Sequence, residues 1–93
     1  MAKGKAEIID IVWEKVISHA GETFTQIEGG VFTYNVESEN TIKPDRTNHN
    51  LSKGVFEDAL AFVPLKDTVP IQHLHAPSYL YAILMDDRIR RLW

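Results

Sequence analysis

The sequence predicts an α+β domain: an N-terminal helix, a three-stranded antiparallel meander and two C-terminal helices, in the order α-β-β-β-α-α. Three observations carry this. Apolar residues recur at helical spacing from Lys5 to Ala20. A run rich in threonine, aromatic and β-branched residues follows, interrupted by Gly29-Gly30. Two more helical stripes fill the second half, introduced by Ser52 and Pro77. Strands grouped between helices favour an antiparallel sheet covered on one face.

In the first helix, Ile9, Val12, Val16 and Ala20 form a stripe that Ile8, Trp13 and Ile17 broaden, while Glu7, Asp10, Glu14 and Lys15 lie mostly opposite. Gly21 is a natural stop because glycine accepts the left-handed conformation. Thr23 to Ile27 and Val31 to Val36 read as a hairpin turning through Glu28-Gly29-Gly30. Phe32, Tyr34 and Val36 alternate with Val31, Thr33 and Asn35, so the first set faces the helix. Glu37 to Asn40 is a turn and Thr41 to Lys43 a third strand, which Pro44 ends because it has no N–H for a ladder.

The second helix begins near Ser52, a good N-cap, with Leu51 and Phe56 spaced as a hydrophobic staple. Val55, Phe56, Ala59, Leu60 and Val63 form its buried face, and Pro64 stops it. After a loop containing Pro70, Pro77 suits the first turn of a third helix whose apolar face is Tyr79, Leu80, Ile83 and Leu84. Asp86, Asp87 and the arginines mark its exposed end. The sheet's second face and its edge strands are left for water or a partner.

The 93 residues amount to one domain with one core. Without cysteine there is no disulfide, thiolate metal site or cysteine nucleophile. The N-terminus lacks an apolar signal core, and no run approaches the roughly 18 apolar residues of a membrane span. A cytoplasmic protein with no membrane partner is expected. A formal charge of −3 argues against a surface coated in nucleic acid but leaves room for a local basic patch.

That patch is the stretch from Thr41 to Leu60. Lys43, Arg46, His49 and Lys53 gather there with Asn48, Asn50 and Ser52, and between residues 43 and 53 only Asp45 opposes them. Lys43, Arg46 and Lys53 are suited to phosphates, and Asn48, His49 and Asn50 to backbone oxygens or base edges. Lys53 would also lie in the first turn of the second helix, where free N–H groups attract anions. Arg46 is the leading candidate for a phosphate or guanine because its planar fork binds bidentately. A solvated polar turn has the same composition. Three phosphate contacts would give a salt slope of about −2.7, or roughly a forty-fold loss from about 50 to 200 mM salt. Arg88, Arg90 and Arg91 form a second basic cluster that extends this surface if the fold brings it to the same side.

Other candidates have plainer explanations. His73-x-His75 has metal-like spacing, but nothing selects a third ligand, so neither a metal nor a cofactor is expected. Asp86 and Asp87 are adjacent on a helix, so they do not converge on one atom, and Arg88 and Arg90 neutralise them. Ser78 lacks a glycine-elbow context and an evident His–Asp pair. Tyr79 and Tyr81 suit either an interface or the core, and Trp13, Phe24, Phe32 and Tyr34 read as core. No catalytic set is present.

Three phrases, GETFTQIEGGVFTYNV, DRTNHNLSKGVFEDAL and APSYLYAILMDDRI, together resemble a small uncharacterised bacterial domain associated with restriction, defence and mobile-element proteins. The resemblance covers roughly Gly21 to Ile89 and contains no catalytic motif. It implies a DNA-linked accessory or specificity role, carried by Arg46, Asn48, Asn50, Ser52 and Phe56 with the Pro77-Ser78-Tyr79 turn. The acidic total charge departs from a dedicated DNA-binding domain. Two functions follow as expectations: a non-enzymatic module that binds nucleic acid through Lys43 to Lys53, or a protein-interaction module that pairs through an exposed sheet face or edge, with a partner or as a homodimer.

Overall fold

A computed structural model describes residues 5–63, 65–74 and 76–90. The elements are α1 (Lys5–Ser18), β1 (Phe24–Thr25), β2 (Val31–Phe32), β3 (Tyr34–Ser38), β4 (Thr41–Pro44), β5 (Leu51–Ser52), α2 (Lys53–Leu60), α3 (Pro77–Leu84) and α4 (Asp87–Arg90). A helix, then antiparallel strands, then helices is the α+β order that the sequence predicts. None of these helices is long and apolar enough to cross a membrane.

α1 buries Ile9, Val12, Trp13 and Val16, the stripe that its periodicity indicates, and packs on α2 and α4. It ends two residues before Ala20. Its last carbonyls need donor partners that the helix cannot supply. Lys15 O accepts the His19 N–H at 3.1 Å and Ile17 O accepts the Ala20 N–H at 3.2 Å, while the Tyr34 hydroxyl donates to Val16 O at 2.6 Å. Gly21 follows at φ +90° and donates its N–H to Tyr34 O at 2.9 Å. Burial pushes the Tyr34 hydroxyl far above its ordinary pKa, so it stays neutral and donates.

The second hairpin strand is divided between two sheets. β1 pairs with β2 across a turn in which Gly29 has φ +97°. After Thr33 the chain enters a three-stranded sheet in the order β3-β4-β5. Pro44 is the last residue of β4 rather than a break before it. It lies opposite Tyr34, whose carbonyl turns away to Gly21, so the ladder asks for no N–H at Pro44. One step further, Asp45 donates its N–H to Thr33 O at 2.9 Å and accepts the Thr33 N–H on its carboxylate at 3.0 Å. The register then slips between Val36 and Ser38, leaving a bulge at Glu37.

The core face of the sheet is Tyr34, Ile42, Pro44 and Leu51, with Phe24 and Phe32 from the hairpin. The aromatic residues read as core are buried. Trp13 lies 5.5 Å from Phe56 between ring centres, and its indole N–H donates to Glu39 O at 2.8 Å. Ser52 caps α2 by accepting the Val55 N–H at 3.2 Å, and the flanking Leu51 and Phe56 are both fully buried, as a staple requires. α2 ends at Leu60, and Pro64 lies outside the described residues. Leu80, Ala82, Ile83 and Leu84 anchor α3. The exposed end expected after it is a separate helical turn: Asp86 accepts the Arg88 N–H at 2.9 Å, an N-cap that restarts the helix as α4 and places Ile89 in the core.

Candidate functional site

The strand pairing decides which polar residues share a surface. Asn35 lies opposite Lys43, and Thr41 lies opposite Ser52. Lys43 and Thr41 are two apart on β4, so all four project from the side away from the core. All four are exposed or half-buried. The sheet therefore has an apolar face under the helices and a polar outer face.

The loop after β4 continues that face. Thr33 is tied to Asp45, and one step earlier Arg46 Nη1 donates to Val31 O at 3.3 Å, from an exposed position. The partners Asn35–Lys43, Thr33–Asp45 and Val31–Arg46 thus step along the outward residues of the 31–36 segment. Lys43, near the end of β4, and Arg46, in the turn that follows, lie on either side of Asp45. Neither has a carboxylate partner among the described residues. Asp45, the one acid between them, is engaged with the Thr33 backbone. Asn48 and Asn50 are exposed, with no side-chain partner among the described residues. His49 is exposed, and its backbone N–H donates to Thr47 Oγ1 at 3.2 Å, while the residue makes a further contact of its own.

Lys53 goes elsewhere. Its ammonium group meets Asp10 of α1 at 2.7 Å. Its backbone N–H donates to Asn40 O at 2.8 Å, and Ser52 takes the Val55 N–H, so two of the first-turn donors expected to attract an anion are occupied. This pair sits in an open groove of about 530 Å³ that also presents Glu57, Asn40, Thr41 and Ser52. The groove brings α1 to the start of α2 across 43 residues of sequence, and no local pattern signals it.

The second basic cluster is also committed at Arg88. Its guanidinium donates to Asp86 through Nε at 2.8 Å and Nη2 at 2.9 Å, to Glu22 at 3.0 Å and to Thr23 O at 2.8 Å. It lies 4.0 Å over the Phe24 ring. A hydrogen bond from His19, then one from Arg88, holds the Glu22 carboxyl below its ordinary pKa, and Arg88 does the same to Asp86. Arg88 thus binds α4 to the start of β1. The Arg90 side chain and Arg91 lie outside the described residues.

The remaining candidates have structural partners. Ser78 Oγ accepts from Gln26 Nε2 at 3.0 Å, joining α3 to the hairpin. Tyr79 packs edge-on against Phe32 at 4.8 Å, and Tyr81 is half-buried against the core. His73 rests on Phe62 at 5.5 Å, and His75 lies outside the described residues. Among the described residues no group of three His, Asp or Glu side chains is placed to hold a metal ion. No protein-family model, curated protein or solved structure matches this chain.

Proposed function

We propose that this chain is a small non-enzymatic module that binds a nucleic-acid backbone through the outer face of β3–β4 and the loop that follows. The observation that carries the reading is the contrast among its cations. Lys53 and Arg88 are paired with carboxylates, whereas Lys43 and Arg46 stand on one uncovered polar face without them. Asn35, Asn48 and Asn50 supply neutral hydrogen-bonding groups beside them. Phosphate contacts of this kind fix position and supply affinity.

Two cations make a weak binder with a modest salt response. Two phosphate contacts give a slope of about −1.8 on a duplex, or a loss of about twelve-fold from 50 to 200 mM salt. Fluorescence anisotropy with labelled DNA across that range tests this. The Lys43→Gln, Arg46→Gln double variant should lose binding at low salt while keeping the native melting temperature. Retained binding by a folded double variant would overturn the reading.

A second reading rests on Val36. It lies opposite the buried Ile42, on the core side of the sheet, yet is 41% exposed at the free edge of β3. Its peptide groups point off that edge, since the pattern alternates from Tyr34. A second chain pairing there would cover it. Light scattering at high protein concentration checks this, with a strictly monomeric species counting against self-association.

A further inference from the structure

Resting on the backbone-binding reading, we infer that this face is built for a nucleic-acid duplex rather than an unpaired strand. Proteins that hold single strands combine a cationic track with rings on which successive bases stack, and each stacked base contributes about 1–3 kcal/mol. Among the described residues the large aromatic rings are withdrawn from this surface. Trp13, Phe24, Phe32, Tyr34 and Phe56 are all buried in the core. Tyr79 is half-buried against Phe32, and Tyr81 is half-buried against the core. Phe62, exposed at 39%, belongs to the segment after α2 and carries His73 on its ring. Within the loop the one ring is His49, an imidazole with a smaller stacking face than the buried aromatic rings.

What the face offers instead is Lys43, Arg46 and the amides of Asn35, Asn48 and Asn50. These groups contact phosphate and sugar oxygens, and they gain most where phosphates are densest. A duplex carries one negative charge per 1.7 Å of its axis, against one per 3.4 Å on a single strand, and each phosphate contact releases more counterion from it. The occupant that complements charge without stacking is therefore the duplex backbone.

The difference is measurable. With equal affinities at about 1 M salt, where the counterion term vanishes, slopes of about −1.8 and −1.4 for two contacts place the duplex about three-fold tighter than the single strand at about 50 mM salt. Anisotropy titrations of the whole chain with a labelled DNA duplex, and with one of its strands alone, test this at 50 and 200 mM salt. The expected result is a tighter duplex at low salt, with the Lys43→Gln, Arg46→Gln variant weakening both. A single strand bound equally or more tightly would overturn the inference and leave backbone binding standing. No binding of either nucleic acid at 50 mM salt would overturn the functional reading itself, and the inference with it. Lys53→Gln serves as the control, because its ammonium is already paired with Asp10.

Discussion

Tyr34 links three parts of the molecule through one side chain. Its ring stands 5.2 Å from Phe24, its carbonyl receives Gly21, and its hydroxyl satisfies the Val16 carbonyl inside the core. Tyr34→Phe keeps the ring and removes the donor, leaving a buried carbonyl at the end of α1 without a partner. A loss of about 1–3 kcal/mol is expected, read from the urea midpoint. Arg88 is the second residue of this kind. Glu22 and Asp86 have lower pKa values folded than unfolded, so they bind fewer protons in the native state. Their contribution is present in full above the ordinary carboxylate range and is lost as pH falls through about 4 and below. Urea midpoints should therefore drop between about pH 5 and pH 3, and Arg88→Ala should flatten that drop. An unchanged acid limb in the variant would show that Arg88 does not set the two carboxyl groups. Lysine is a poor replacement, since one ammonium cannot span Asp86, Glu22 and Thr23 O together.

Among the elements, the caps show how local chemistry chooses boundaries. Ser52 begins α2 and Asp86 begins α4 through the same bond, a side-chain oxygen accepting an N–H of the first turn. α3 has no such help. Its N-cap, Ala76, sits at φ 51° and ψ 57°, a left-handed conformation that costs a residue with a Cβ roughly 1–2 kcal/mol. Ala76→Gly relieves that cost but adds backbone freedom to the unfolded chain. A net gain of about 0.5–1 kcal/mol is expected, seen as a higher melting temperature, and a lower one would mean the Ala76 methyl matters more to packing than to strain. The 31–36 segment is handled differently. A continuous strand is the natural reading of its alternation, but Thr33 spends its N–H and C=O on Asp45, and the pairing partner changes from β1 to β4 around it. Alternation survives this exchange because the side-chain period belongs to the chain and not to the sheet.

At the scale of the whole molecule, the helices and the buried aromatic rings gather on one side of the three-stranded sheet, and the described residues of the other side are polar. Four of the basic residues divide along the same line. Lys53 and Arg88 act as internal ties, from α2 to α1 and from α4 to the start of β1, while Lys43 and Arg46 remain on the open face. Lys53→Gln should therefore lower stability slightly, by up to about 1 kcal/mol for a largely exposed pair, and leave nucleic-acid binding unchanged. Loss of binding in a folded Lys53→Gln protein would move the proposed site into the groove with Asp10 and Glu57.

The α+β class, the apolar stripes of α1, α2 and α3, the hairpin turn at Gly29, the Ser52 cap with its staple and the core role of the aromatic residues were all determined by the sequence alone. Each rests on spacing within a few residues, where helical and strand periods, glycine conformations and cap chemistry act. The candidate loop was legible in the same way, as a cluster of residue types. Only the tertiary structure decided which of those residues serve a surface and which serve the fold. Lys53 finds Asp10, Arg88 finds Glu22, and Asp45 finds Thr33 across 43, 66 and 12 residues of chain. The division of the strand between two sheets and the place of Pro44 in β4 were settled there too. A charged side chain is claimed by the nearest complementary group in space, and local spacing carries no record of that neighbour until the chain has packed.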